Sequence, residues 1–122
     1  MCEHETIFAR LIAVIEDRNV HRPENSYTTG LLEGGVAAIG AKIREEAAEV
    51  IEAAGNDDPS DSHLIHEAAD LIYHLFVMLA YRGVKLAEVE AELACRFGTS
   101  GLEEKASRES PDTTSQPPAD RC

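Results

Sequence analysis

Two acidic runs decide the fold: KIREEAAE at residues 42–49 and EAAD at residues 67–70. At about 100° per residue along a helix, the first run places its charged residues on one face and apolar residues on the other. That charged face holds Lys42, Glu45, Glu46 and Glu49. Taken alone, such a run is typical of an amphipathic helix with a solvent-exposed acidic face.

The second run lies in a helix, predicted from His63 to Arg82, that is apolar on nearly every side. Such a helix is usually buried, and a buried carboxylate has to be paired, protonated or bound to a metal ion. The stripe that carries Glu67 and Asp70 has too few positive charges to pair every carboxylate. Two acidic pairs on neighbouring helices therefore predict an oxygen-rich site of the kind that Mg²⁺ prefers.

The composition narrows the class of protein. The 122 residues suffice for one domain, and the net charge of −12 argues against nucleic-acid binding because no basic patch neutralises phosphates. The cysteines Cys2, Cys95 and Cys122 form neither a disulfide framework nor a zinc spacing, so a cytoplasmic location is the simplest expectation. We expect no signal peptide and no apolar stretch of the roughly 18 residues that a membrane span needs.

Helical periodicity predicts the elements in order. The first helix is expected from Thr6 to Arg18, followed by a connection from Asn19 to Thr29. The second helix is expected to begin between Leu31 and Val36 and to run to Ala54, because Gly34 and Gly35 weaken its start.

The remaining elements follow the same reasoning. The third helix is capped by Ser60, Asp61 or Ser62 and stops near Gly83, and the fourth runs from about Leu86 to Phe97. A buried stripe is predicted for that fourth helix at Val84, Leu86, Val89, Leu93 and Phe97, with Gly98 as its stop. A short helical segment is expected at residues 100–108.

The predicted fold class is all-α: four main helices plus a short C-terminal helix, in a helical bundle completed by homodimerisation. Residues 1–108 form the domain, and residues 109–122, rich in Pro, Ser, Thr and Asp, form a disordered tail. Four helices of this length do not cover the apolar third helix on every side, so association with a second copy is expected.

Several motifs together resemble the phosphoribosyl-ATP pyrophosphatase family. They are SYT at residues 26–28 followed by two leucines, Lys42 with EExxE at residues 45–49, EAADLIYHL at residues 67–75, and SGLEEKASR at residues 100–108. The resemblance covers about residues 6–108. One departure is Arg44, where the family commonly has glycine; it either touches phosphate or pairs with a neighbouring glutamate.

The resemblance implies a Mg²⁺-dependent, homodimeric, all-α enzyme that converts phosphoribosyl-ATP and water to phosphoribosyl-AMP and pyrophosphate, the second step of histidine biosynthesis. Carried over residue by residue, it assigns the metal ligands Glu46, Glu49, Glu67 and Asp70. Glu45 is the candidate that orients or deprotonates the water. The substrate-binding candidates are Lys42, Ser26, Tyr27, Thr28, Lys105 and Arg108.

Alternatives stay open at this stage. Glu45 could be a solvated helix charge, and Lys42 could merely form an i, i+3 or i, i+4 pair on its own helix. Tyr73 and His74 are more often core residues with satisfied polar tips than ligands. Two rival functions are a nucleoside triphosphate pyrophosphatase that removes non-standard nucleotides, and a non-catalytic helical dimerisation module.

Overall fold

The computed structural model describes residues 5–97, and every regular element among them is a helix. The four helices are α1 (Ile7–His21), α2 (Tyr27–Ala54), α3 (Ser62–Arg82) and α4 (Leu86–Phe97). The all-α prediction is therefore confirmed for this part of the chain. The expected stop at Gly98, the short helix at 100–108 and the tail at 109–122 lie outside the described residues.

Helix α1 begins as predicted but runs three residues farther. The Thr6 side chain accepts a hydrogen bond from the Ala9 N–H at 3.0 Å and caps the first turn. The helix ends where Arg22 adopts a left-handed conformation (φ 35°, ψ 69°), with its N–H bound to the Arg18 carbonyl at 2.8 Å. The predicted end at Arg18 was wrong because the left-handed residue that ends the helix comes four positions later.

Helix α2 begins at Tyr27, so its predicted start between Leu31 and Val36 was wrong. Ser26 caps it by accepting a hydrogen bond from the Thr29 N–H at 3.2 Å. This cap starts the helix before the glycines, and the connection shrinks to residues 22–26. The segment at 26–28 therefore belongs to a helix start rather than to a long loop.

A kink at Gly35 explains how α2 accommodates its paired glycines. Gly35 has φ 70° and ψ −158°, a backbone conformation that is essentially restricted to glycine. A Cβ atom there would also lie 3.2 Å from the Tyr81 hydroxyl of α3. The kink separates a first segment, which carries Tyr27 and Thr28, from a second segment, which carries the acidic run.

The core of the first three helices is small and apolar. Helix α3 packs mainly on α2 and also on α1. The buried apolar side chains of these helices are Ile12, Ile15, Leu31, Leu32, Ile39, Ala53, Phe76, Val77 and Ala80. At the end of α1, the Asn19 Nδ2 donates to the Ala80 carbonyl at 3.1 Å and joins α1 to α3.

The chain divides into two compact units, of which the first ends at Val84 and contains α1–α3. The second begins at Lys85 and contains α4, whose bounds agree with the prediction. No residue of α4 is fully buried, and Leu93 and Phe97 are 50% and 76% exposed. The predicted buried stripe was therefore wrong: Leu93 and Phe97 are exposed, and Val84, Leu86 and Val89 are only half-buried.

Helix α3 is long and apolar enough to cross a membrane by length and composition alone. The expectation that no apolar stretch reaches the roughly 18 residues of a membrane span was therefore wrong for this helix. The same helix packs on α1 and α2 and carries the buried polar residues Glu67 and His74. It is therefore a helix of the folded core, and its composition does not indicate a membrane protein.

Candidate active site

The second segment of α2 and the first half of α3 bring three carboxylates together. One oxygen from each of Glu46, Glu49 and Glu67 lies within 4.8 Å of the others. We call these three residues the acidic group. Glu46 and Glu67 are only 6% and 7% exposed, because their helices pack closely at this level. The i, i+3 spacing of Glu46 and Glu49 places both on the face of α2 that meets α3.

Two oxygens of this group are buried without a hydrogen-bond partner within residues 5–97. They are Oε1 of Glu46 and Oε1 of Glu67. A buried unsatisfied carboxylate oxygen costs free energy, so this arrangement is unfavourable for the protein by itself. A cation that coordinates these oxygens would remove the cost.

The pKa values of the three glutamates reflect the crowding of negative charge in the acidic group. Burial raises the pKa of Glu46 to about 7, with further increases from the charges of Asp70 and Glu49 and from a hydrogen bond with Glu67. A hydrogen bond with Glu67 raises the pKa of Glu49. Burial acts to raise the pKa of Glu67, but its hydrogen bonds with Glu49, Glu46 and His63 outweigh burial and lower it. Glu46 is therefore the carboxylate that protonates most readily near neutral pH.

Asp70 belongs to a second, overlapping group with Glu67 and His66, again with ligand atoms within 4.8 Å. The His66 Nε2 lies 3.3 Å from the Asp70 Oδ2, and the His63 Nε2 lies 3.1 Å from the Glu67 Oε2. Neither histidine was assigned a role from the sequence. Their signal was the i, i+4 spacing to the two acids, which places each pair on one side of α3.

Lys42 and Glu45 form the outer edge of the acidic face on α2. The Lys42 Nζ lies 3.0 Å from the Glu45 Oε1 and 3.8 Å from the Glu46 Oε2. The hydrogen bond to Glu45 raises the pKa of Lys42. Lys42 thus makes the same-helix pair that the sequence left as one alternative. Glu45 and the unusual Arg44 are both exposed.

The predicted substrate segment at the start of α2 contacts α3 through its side chains. The Tyr27 hydroxyl lies 2.7 Å from the His74 Nε2, and the Thr28 Oγ1 forms a short hydrogen bond with the Tyr73 hydroxyl. Ser26 is occupied as the helix cap. Tyr73 and His74 therefore have satisfied polar tips, as the sequence reasoning favoured.

Two further substrate candidates, Lys105 and Arg108, lie outside the described residues. Within the described part of the chain, the chemistry consists of an acidic group, a Lys42–Glu45 pair beside it, and a tyrosine and a threonine bound to α3. Carboxylate oxygens are the ligands that Mg²⁺ prefers. The acidic group, with its unpartnered oxygens, therefore fits a hard divalent cation.

The sequence comparisons with known proteins agree on one family. A sequence model of the family described as phosphoribosyl-ATP pyrophosphohydrolase matches residues 8–97. A protein from Rhodopirellula baltica, named phosphoribosyl-ATP pyrophosphatase, is 59% identical over 100 residues, covering 81% of this chain and 83% of that protein. Proteins of the same name from Novosphingobium aromaticivorans and Rhodobacter capsulatus are 49% and 48% identical, covering 87% and 84% of this chain and 97% and 98% of their own lengths.

The matched region includes the acidic group and both helices that carry it. The resemblance drawn from the sequence motifs is thereby confirmed, and it extends over α1 to α4 rather than over a single motif. The chain belongs to the phosphoribosyl-ATP pyrophosphohydrolase family of hydrolases.

Proposed function

We propose that this protein hydrolyses phosphoribosyl-ATP to phosphoribosyl-AMP and pyrophosphate, the second step of histidine biosynthesis, with Mg²⁺ as cofactor and in the cytoplasm. The observation that carries the proposal is the acidic group of Glu46, Glu49 and Glu67, with two buried unpartnered oxygens, in a chain of this family. A non-catalytic helical module would incur the free-energy cost of these buried oxygens without any gain in function. The relatives' names supply the substrate.

The acidic group and Asp70 are the proposed Mg²⁺ ligands. The ion neutralises charge on phosphate oxygens when it is bound. Glu46 and Glu67 are already held by packing between α2 and α3, so little reordering is needed for their oxygens to coordinate. His63 and His66 hold the carboxylates of Glu67 and Asp70 in place from the exposed side of α3.

Glu45 is the proposed base for the attacking water. The water oxygen forms a bond to the α-phosphorus, the bond from that phosphorus to the bridging oxygen breaks, and pyrophosphate leaves. The water proton passes to a Glu45 carboxylate oxygen. Lys42, which contacts Glu45 at 3.0 Å, is proposed to exchange that contact for a phosphate oxygen.

The other substrate contacts are proposed from the family motifs. Ser26, Tyr27 and Thr28 lie at the start of α2, where backbone N–H groups and the helix dipole favour negative charge. Lys105 and Arg108 are proposed to bind the polyphosphate as cations.

A substrate panel tests the proposed function. Pyrophosphate release is measured from phosphoribosyl-ATP, ATP and other nucleoside triphosphates, each with Mg²⁺ and with EDTA. The proposal expects strong preference for phosphoribosyl-ATP and no release in EDTA. Preference for a free triphosphate would instead assign a nucleotide-cleansing activity, and no release from any substrate by folded protein would remove the enzymatic assignment to these substrates.

We also propose that the protein is a homodimer formed through α3. Only 28% of the most apolar stretch of α3 is buried within the described part of the chain. Ile65 and Leu75 of this helix are 67% and 44% exposed. Exposed apolar area on one helix is typical of an interface between copies.

Light scattering coupled to size exclusion tests the dimer. The wild type is expected at twice the chain mass, and Ile65→Asp is expected to shift it to the monomer. Val20→Asp, at an apolar position of α1 that is 73% exposed, is the matched control and should stay dimeric. A wild type that is monomeric at micromolar concentration would contradict the dimer.

A further inference from the structure

His74 has a defined tautomer because of its two hydrogen-bond partners. It is 5% exposed and lies one turn after Asp70 on α3. Its Nδ1 lies 2.8 Å from the Asp70 carbonyl oxygen. A carbonyl oxygen only accepts, so Nδ1 carries the hydrogen. In a neutral imidazole the other nitrogen is then an acceptor, and His74 Nε2 presents a lone pair.

This tautomer determines the direction of the next hydrogen bond. The Tyr27 hydroxyl, 2.7 Å from that Nε2, donates its one proton to His74. The two rings also pack edge to face, with centroids 5.8 Å apart. The Tyr27 oxygen therefore has only lone pairs left for further partners, so it can accept a hydrogen bond but cannot donate one.

Tyr27 is accessible to a ligand, and its hydroxyl contacts the helix that carries Glu67 and Asp70. Tyr27 is 55% exposed, although its hydroxyl is held by the hydrogen bond to His74. Burial raises the pKa of Tyr27, and the charges of Lys42, Glu46 and Glu45 act on the same hydroxyl. Through His74, this hydroxyl is linked to the carbonyl of Asp70, one of the proposed metal ligands, and Tyr27 begins the helix that carries Glu46 and Glu49.

We propose that His74 positions Tyr27 so that the tyrosine oxygen accepts a hydrogen bond from a ribose hydroxyl of the substrate. The inference rests on the proposed function, whose substrate carries ribose hydroxyls next to its phosphates. Phosphate oxygens at neutral pH are acceptors, so they are poor partners for a tyrosine that has no proton to give. Tyr27 is a specificity-determining residue in this account, and His74 is its positioning residue.

Kinetics at pH 8 with phosphoribosyl-ATP separate this role from phosphate binding. Tyr27→Phe removes one hydrogen bond and should raise KM by about three- to tenfold with kcat little changed. Inhibition by adenosine and by D-ribose, which carry ribose hydroxyls and no phosphate, should weaken by the same factor, while inhibition by inorganic phosphate and by pyrophosphate stays unchanged. Weaker inhibition by inorganic phosphate or pyrophosphate, with unaltered inhibition by adenosine and D-ribose, would assign Tyr27 to phosphate and overturn the inference.

Two substitutions of His74 separate positioning from packing. His74→Gln can place an amide oxygen near the position of Nε2 and should keep a nearly wild-type KM. His74→Asn can keep the donor to the Asp70 carbonyl but lacks the acceptor, so its KM should match that of Tyr27→Phe. The double variant Tyr27→Phe/His74→Asn should be no worse than either single variant. Equal KM effects of Gln and Asn would overturn the positioning role.

Imidazole ¹⁵N NMR of the wild type at pH 8 tests the tautomer even if the His74 variants fail to fold. We expect the Nδ1 of His74 to be protonated and its Nε2 to be bare. A protonated Nε2 in protein that hydrolyses phosphoribosyl-ATP would overturn the inference and leave the proposed function standing. No hydrolysis of phosphoribosyl-ATP by the wild type would overturn the proposed function and, with it, the ribose contact.

Discussion

Replacing Glu46 by glutamine should stabilise the metal-free protein above pH 7. The pKa of Glu46 in the folded chain is raised from 4.5 to about 7, chiefly by burial. The folded state therefore binds this proton more tightly than the unfolded state, and the free energy of unfolding falls as pH rises from the ordinary pKa to the raised one. Glutamine stays neutral and does not incur that cost.

The size of the effect follows from the shift. The full pKa difference would correspond to about 3 kcal/mol above pH 7, which relaxation of the surrounding groups and water penetration reduce to about 1–2 kcal/mol. In a domain of this size about 1 kcal/mol moves the midpoint of thermal unfolding by roughly 4–8 °C. Glu46→Gln should therefore unfold at a higher temperature than the wild type at pH 8, and the difference should vanish toward pH 4.5.

Thermal unfolding by circular dichroism in EDTA, at several pH values, measures this difference. Glu33→Gln is the matched control, because Glu33 is an exposed glutamate on the same helix; its midpoint should follow the wild type at every pH. A Glu46→Gln protein that is less stable than the wild type at pH 8 in EDTA would refute the reasoning, since it would mean that the ionised carboxylate stabilises the metal-free fold.

Three further predictions concern the fold and the metal. Gly35→Ala should lower the free energy of unfolding in urea by about 2 kcal/mol or more, because of the positive φ and the nearby Tyr81 hydroxyl. The control Gly40→Ala, where a Cβ meets no described atom within 4 Å, should raise it by up to about 1 kcal/mol. Equal effects of the two substitutions would contradict the kink. Thr28→Val should cost about 1–2 kcal/mol through the lost hydrogen bond to α3, measured the same way, and a neutral result would show that the bond contributes nothing. Mg²⁺ should raise the unfolding midpoint of the wild type more at pH 8 than at pH 6, because metal ligands have to be deprotonated; a larger shift at pH 6 would count against carboxylate ligands.

Helical spacing was sufficient to predict most of the fold. The ends of α2 and α3 follow from Gly55 and Gly83, and the start of α1 from Thr6. The start of α2 was placed too late because Gly34 and Gly35 were expected to weaken the first turns of the helix. In the structure Gly35 is a kink inside a longer helix and lies against Tyr81. That contact joins distant residues, which periodicity alone does not reveal.

The candidate site was also predicted only in part: local spacing indicated which residues share a helix face, but not the contacts between helices. The spacing of Glu46 and Glu49, and of Glu67 and Asp70, predicted which side chains share a helix face, and the structure brings the first three together. Local spacing also contained the signal for His63 and His66. In contrast, the contact of Tyr27 with His74 joins residues 47 positions apart. It depends on how α2 packs against α3, so the sequence could not supply it.

The central claim is that the acidic group supports hydrolysis of phosphoribosyl-ATP, and one comparison tests it most directly. Pyrophosphate release from phosphoribosyl-ATP in Mg²⁺ is measured for the wild type, Glu67→Gln and the control Glu33→Gln, all checked for folding by circular dichroism. Full activity is expected in the wild type and in Glu33→Gln, and a loss of at least about 100-fold in Glu67→Gln, because a site that lacks this carboxylate holds the ion that stabilises the transition-state charge less well. Wild-type activity in a folded Glu67→Gln protein would contradict it.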